Sequence, residues 1–526
     1  MGSERDQQAK SAQVRPIDKQ RRNALSLACS SPPEVLQYVF DIYIDDENNR
    51  WQDPEDALPP TSLLSHVCTR WRALCLSDKH LWAKITLFHH RGRWPLEFIT
   101  RSGNSPLEIS FRISEKYGPE VTFAVLLNMH RVRSLDTQGI SEHLQSFCDV
   151  LTWTAAPTLE HLGLGYYPKP DMHHRTVYVS SNLFAGTAPK LRSICLHNVF
   201  QDHPVQAFAH LTNVYMNYAL TVETARPFFR STPDLKAMIF WRFSTHADAN
   251  ARLPVVPFSP ESKRVDANQM TCLAIDDHDA AQIVQLLEGV NAPSLSQIGL
   301  SSMFFTKSNV DHFATTLPSA LSFHVKTLRR IHGPSRELMV NSSSITCWPS
   351  QSNLVRHDLI DDVDDVFPFY AQWYYDEDSP EEVEPFVDGM LGVLPIDEVR
   401  TLSLRDISWD SESFYRASNV TVLNYTCENL DVDVLYFLEA MIPLDQRIDT
   451  ADFPTDYRTL FPQLARIVFK NMTISADGED FVYVLERLTR VRQRDGIVLE
   501  VAFEGCSDPG NIMTGLKDVS ITWDGA

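Results

Sequence analysis

One phrase recurs through most of this chain. It consists of an apolar residue, two variable positions, an apolar residue, one variable position and usually a third apolar residue. It reads Leu159/Leu162/Leu164, Leu191/Ile194/Leu196, Leu211/Val214/Met216, Leu235/Met238/Phe240 and Met270/Leu273/Ile275. It continues as Leu295/Ile298/Leu300, Val399/Leu402/Leu404, Val420/Leu423/Tyr425 and Leu464/Ile467/Phe469, with weaker copies at Val132/Leu135 and Val498/Val501/Phe503. The last two positions are two apart, the spacing of one face of a strand. Pro157, Pro189, Pro233, Pro293 and Pro462 each stand two residues before the first apolar position. Proline suits an incoming turn there, because no backbone N–H has to be donated. A unit this short cannot bury its own apolar face, so copies must stack on their neighbours.

The phrase resembles the strand segment of leucine-rich repeats. That resemblance implies an α/β architecture in which short strands and intervening helices stack as an irregular solenoid. Neighbouring copies are mostly 20 to 44 residues apart, and helices are expected in the gaps, for example over Ala280–Leu287 and Asp480–Leu488. Asn198 and Asn471 fall near the position of the family's consensus asparagine, which most copies lack. A non-repetitive α/β domain with several similar strands is the alternative. Leu300 to Val399 has no clear copy. It holds an acidic segment in which Asp361, Asp362, Asp364, Asp365, Asp376, Glu377 and Asp378 surround Phe367, Tyr370, Trp373 and Tyr375. This predicts an inserted loop at about 356–390, either solvated or docking a basic partner through its aromatic residues.

The N-terminal region has a different rhythm. Residues 1–22 are polar and read as a disordered tail. Ser31-Pro32-Pro33-Glu34 has the form of a capping box. Val35, Leu36, Val39, Phe40 and Tyr43 follow and are expected to share one helical face. After a polar stretch from Asp45 to Asp56, Leu64, Val67, Cys68, Trp71 and Cys75 predict a second helix. Leu81 and Trp82 sit in a short third one over Asp78–Ile85.

These three segments, Pro32-Pro33-Glu34-Val35-Leu36, then Val67-Cys68-Thr69-Arg70-Trp71-Arg72, then Leu81-Trp82, resemble an F-box over residues 30–88, and most closely the F-box-like proteins of mushroom-forming fungi. Ser31 stands where that family usually has Leu. The resemblance implies a small three-helix module at 23–90 that docks on the Skp adaptor of a cullin–RING ubiquitin ligase. The leucine-rich-repeat-like domain, 91–526, would then hold a protein substrate. The docking module comprises Pro32, Pro33, Glu34, Val35, Leu36, Val39, Leu64, Val67, Trp71 and Trp82; which of them form its core and which the contact is open at this level. A repeat-based scaffold without ligase coupling, and a cryptic enzyme, are the other readings.

Composition narrows the classes. A net charge of −21 argues against general nucleic-acid binding, which needs clustered cations. The nine cysteines are dispersed, with no C-x-x-C pair, and read as reduced, mostly buried thiols of a cytoplasmic or nuclear protein. No apolar run reaches the ~20 residues of a membrane helix, and the polar first residues do not form a signal peptide. Catalytic patterns are weak. Gly163-x-Gly165 lacks a third glycine, there is no Gly-x-Ser-x-Gly or His-Glu-x-x-His, and Asp276-Asp277-His278-Asp279 reads as a surface loop. His89-His90 and His173-His174 read as exposed polar pairs. No cofactor, metal or catalytic residue is expected.

Overall fold

In this computed structural model the second apolar position of every copy of the phrase lies in a strand. The structure describes residues 25–49, 58–87, 94–113, 118–166, 177–201, 204–217, 222–241, 264–276, 280–305, 310–348, 368–375, 384–405, 412–427, 432–443, 459–473, 479–507 and 520–523. The expected tail at 1–22 lies outside them. Leu135, Leu162, Ile194, Val214, Met238, Leu273, Ile298, Leu402, Leu423, Ile467 and Val501 are all buried. The first apolar position closes a turn whose amide donates to the carbonyl three residues back. Leu159 donates to Ala156 (3.3 Å), Leu191 to Ala188 (3.1 Å), Leu235 to Thr232 (3.2 Å), Leu295 to Ala292 (3.2 Å) and Leu464 to Phe461 (3.0 Å). In these five the proline is the second turn residue, where its fixed φ is already correct. Met270, Val399 and Val420 close the same turn without proline. Downstream, one carbonyl takes two successive amides of the next strand: Thr271 O accepts from Ser296 and Gln297, and Thr421 O from Ala465 and Arg466.

The chain divides into two compact units, Met1–Leu211 and Thr212–Ala526. The first begins with helices α1 (Pro33–Asn49), α2 (Pro60–Val67) and α3 (Thr69–Ser77). Strands β1 (Lys84–Leu87), β2 (Leu107–Ile113), β3 (Val132–Gly139), β4 (His161–Tyr166) and β5 (Ser193–His197) follow. Each pairs in parallel with the next, so Ile109, Leu135, Leu162 and Ile194 form one apolar rung. Parallel neighbours need a crossover, supplied in part by α4 (Trp94–Arg101), α5 (Gly118–Leu127) and α6 (Ser141–Leu151). The N-terminal helices thus share a unit with the first five strands, whereas the sequence suggested a boundary near residue 90.

The second unit is built the same way around β6 (Asn213–Met216), α7 (Val222–Ser231), β7 (Ala237–Trp241), β8 (Cys272–Asp276), α8 (Ala280–Gly289) and β9 (Gln297–Phe305). Then come α9 (Val310–His332), β10 (Glu337–Asn341), β11 (Ser344–Cys347), β12 (Phe369–Tyr375), α10 (Glu384–Val393), β13 (Thr401–Arg405) and β14 (Val422–Thr426). The unit closes with α11 (Val432–Ala440), β15 (Arg466–Lys470), α12 (Glu479–Arg494), β16 (Glu500–Glu504) and β17 (Ser520–Trp523). Strands β6–β9 and β12 are parallel in the order β6-β7-β8-β9-β12. The order continues antiparallel through β11 to β10, then parallel through β13 to β17. Leu338, Leu402, Leu423, Ile467 and Val501 make one rung, and Val340, Leu404, Tyr425, Phe469 and Phe503 the next. The Phe469 and Phe503 rings stack at 5.3 Å and 18°. The protein is therefore mixed α/β with a large, mainly parallel sheet; α8 and α12 occupy the two gaps where helices were expected.

Three expectations change. Strand β10 fills part of the gap assigned no copy; its phrase reads Ser335/Leu338/Val340, with a buried serine in the first apolar position. The Ser335 hydroxyl donates to Glu337 O (2.9 Å) and accepts from Trp348 N (3.1 Å), which makes the polar group tolerable there. Within the expected insertion at 356–390, the acidic runs at 361–365 and 376–378 lie outside the described residues. Tyr370 and Trp373, however, are buried in β12, where Trp373 Nε1 donates to Ser342 O (3.1 Å). They are core residues, not exposed anchors. Finally, Val498 is 78% exposed and Leu499 is buried, so the first apolar position of that copy falls one residue later while Val501 and Phe503 keep theirs.

Candidate functional site

The first i→i−4 bond of α1 runs from Leu36 N to Pro32 O (3.1 Å), so Pro32 takes the cap position and Pro33 opens the helix. Ser31 lies one residue outside, and the expected capping box gives way to a proline start. The helix continues past Asp45, whose carboxylate accepts from Lys84 Nζ on β1 at 2.8 Å. Burial, which disfavours the Lys84 charge, is outweighed by that bond, and the ammonium is raised above its ordinary pKa. The expected second helix is two. At Cys68 the backbone is extended (φ −156°, ψ 170°), and its sulfur accepts from Trp71 N at 3.5 Å, capping α3. In place of a third helix, a 3-10 turn at His80–Trp82 leads straight into β1.

At 100° per residue, α1 separates the apolar positions that were expected to share one face. Leu36, Phe40 and Ile44 are buried, whereas Val35, Tyr38, Val39 and Ile42 are 45–68% exposed. The stripes are offset by one residue, which proximity in sequence concealed. The inner stripe joins a small core of Leu64, Cys75, Leu81 and Trp82. Phe40 meets Trp71 edge-on at 4.8 Å, and Trp82 meets Phe98 of α4 at 5.0 Å. The Arg101 guanidinium covers Trp82 at 4.3 Å, and Trp82 Nε1 donates to Cys75 O at 2.6 Å. Burial raises the Cys75 thiol to about 11.

Of the ten residues singled out by sequence, Leu36, Leu64 and Trp82 are core and Trp71 is half-buried. Pro32, Pro33, Glu34, Val35, Val39 and Val67 face solvent. Leu63 and Val67, four apart on α2, are both exposed, as are Leu58 and Leu76. Among the described residues, nine of the nineteen exposed large apolar side chains fall within residues 25–76. This region has a packed core, closed in part by Phe98 and Arg101 of α4, and a second apolar surface left in water. Sequence reasoning missed Tyr38, Ile42 and Leu63 in that surface; the i, i+3, i+4, i+7 spacing from Val35 was the available signal. Arg70, part of the F-box-like segment but given no role from sequence, donates its guanidinium to the carbonyls of Cys29 and Ser31, the latter at 2.7 Å, and so ties the turn before α1 to α3.

The patterns weighed as chemistry resolve differently. Gly163 and Gly165 lie in β4, and a side chain at Gly163 would meet the Asp136 carboxylate at 2.6 Å. Asp136 itself is raised by burial, an effect that nearby His161 and the Ser110 hydroxyl oppose. Asp276 ends β8 and accepts from the Ser301 hydroxyl (2.8 Å); Asp277–Asp279, His89-His90 and His173-His174 lie outside the described residues. Among the described residues no group of three His, Cys, Asp or Glu side chains is placed to hold a metal ion. No described helix is long and apolar enough to cross a membrane. No protein-family model matches the chain, and no curated protein sequence matches it.

Proposed function

We propose that this chain is a cytoplasmic or nuclear substrate-recognition subunit of a cullin–RING ubiquitin ligase. The N-terminal helices would dock on the Skp adaptor, and the strand–helix array, read as an irregular leucine-rich-repeat solenoid, would hold a protein substrate. The observation that carries this reading is the outer stripe Val35, Tyr38, Val39 and Ile42, left in water by a helix whose inner face is already packed. A monomeric fold gains nothing from such a stripe, whereas a partner that covers it gains apolar burial. The F-box resemblance of Pro32–Leu36, Val67–Arg72 and Leu81-Trp82 supplies the partner. The chain itself would perform no chemistry; its effect on ubiquitin transfer would be proximity.

Co-expression with a Skp adaptor, followed by size-exclusion chromatography, tests the reading. The informative variant is Val35→Asp/Val39→Asp, because both positions are exposed and their change leaves the core intact. A complex with wild type that the variant loses supports the reading. No complex with folded wild type sinks it. Ser31, in place of the leading leucine, favours a second reading: a protein-interaction scaffold whose module does not engage the adaptor.

A further inference from the structure

Two thiols far apart in sequence meet at the base of the N-terminal helices. Cys29 Sγ and Cys68 Sγ are 3.7 Å apart, and both cysteines are free. We propose that they form a reversible redox site that closes to a disulfide on exposure to a peroxide.

The positions favour this chemistry over a packing accident. Cys68 sits at the break between α2 and α3 with an extended backbone, its carbonyl accepting from Arg72 N (2.9 Å), and Trp71 N–H holds the sulfur at the start of α3. It is partly open to solvent, whereas Cys29 is buried beside it. Burial, followed by the bond to Cys68 and its charge, raises the Cys29 thiol. Cys68 is therefore the sulfur that meets oxidant and Cys29 the one that resolves it. Arg70 clamps the carbonyls of Cys29 and Ser31 and keeps the partner turn in reach. A bonded pair needs about 2.05 Å, so the sulfurs must close by less than 2 Å. Cys148, Cys272 and Cys347 differ from Cys68 in being buried, with thiols pushed up to about 12.

The electrons balance in two steps. Cys68 as thiolate attacks the peroxide O–O bond, forming a sulfenic acid and releasing hydroxide or alkoxide, which takes up the thiol proton. Cys29 then attacks the Cys68 sulfur, and the sulfenic oxygen leaves as water with the Cys29 proton. Two thiols lose two electrons and two protons, and the peroxide gains both. A thiol reductant restores the pair. The bond would tie residue 29 to residue 68, and the loop it closes contains α1 and α2, which carry the exposed Val35, Tyr38, Val39, Ile42, Leu63 and Val67.

The test is purified full-length chain treated with equimolar hydrogen peroxide, then alkylated, digested and analysed by mass spectrometry before and after dithiothreitol. The expected result is a Cys29–Cys68 cross-linked peptide, joint loss of alkylation at both residues, and recovery on reduction. In Cys29→Ser, Cys68 is expected to carry sulfenic acid trapped by dimedone instead. Oxidation of Cys68 that leaves Cys29 fully alkylatable in the wild type overturns the proposal, as does a failure of either residue to react. The wild-type experiment decides alone if the variant does not fold.

Discussion

Val39 and Phe40 are adjacent on α1 yet 45% and 0% exposed, so substitutions one residue apart should have opposite consequences. Phe40→Ala removes a buried ring that meets Trp71 at 4.8 Å. Such a truncation costs about 3–5 kcal/mol, a large share of the ~5–15 kcal/mol that holds a domain together. It should lower the melting temperature by several degrees or melt the N-terminal helices outright. Val39→Asp touches no core and should change stability by no more than about 0.5 kcal/mol.

Against a Skp adaptor the order reverses. Covering the exposed half of a valine is worth about 1 kcal/mol, and a carboxylate pressed against apolar surface adds a desolvation cost of several kcal/mol. A loss of at least ~3 kcal/mol is a weakening of about 100-fold or more. Circular-dichroism melts paired with calorimetric titration of the adaptor measure both quantities. Unchanged adaptor affinity in Val39→Asp would refute the docking stripe. A melt shifted as far as that of Phe40→Ala would refute the assignment of Val39 to the free face.

Three further outcomes follow from the strand array. Arg492 is buried and donates to the carbonyls of Pro462, Met441 and Leu460 at 3.1–3.2 Å. Arg492→Met should cost about 2–4 kcal/mol in urea denaturation, and Arg492→Lys should recover little of it because one ammonium cannot span three acceptors. In α10, a Cβ on Gly389 would lie 2.1 Å from Ala314 O of α9, so Gly389→Ala must part the two helices; we expect about 1–3 kcal/mol of destabilisation by thermal melt. His197 is buried and its imidazole is pushed down to about 4 by desolvation. The unfolded chain therefore binds the proton more readily, and the contribution of His197 is present above about pH 6.5 and lost as pH falls toward 4. His197→Gln should flatten stability against pH within that window.

Much of the array was legible because its strands obey one local rule. A phrase of fixed spacing, a proline before it and an apolar face two residues in period survive without knowledge of any partner strand. The rule failed where a polar group met the same structural need. Ser335 occupies a leucine's place because its hydroxyl has bonds to make inside, and no apolar pattern reports that. A second regularity was present and went unread: Ala156, Ala188, Thr232, Ala267, Ala292 and Ala417, small and buried, open the turn before the strand. Phe208, Ile396 and Phe461 hold the same position with large buried side chains, so the preference for small residues covers only part of the array.

The N-terminal region was less legible for a reason rooted in its size. Three short helices cannot enclose all their apolar residues, so a residue's hydrophobicity does not say whether it faces inward. Leu36 and Val35 carry the same signal in sequence, and only the packing of α1 against Leu64, Trp71 and Trp82 separates them. The same limit explains Cys68, read as one more position on a continuous helix. Its sulfur caps α3 only because the helix breaks there, and the break brings it to Cys29, 39 residues earlier. What sequence alone left ambiguous on α1 and at Cys68 is what bears on function, because a residue released from the core is free to meet a partner or an oxidant.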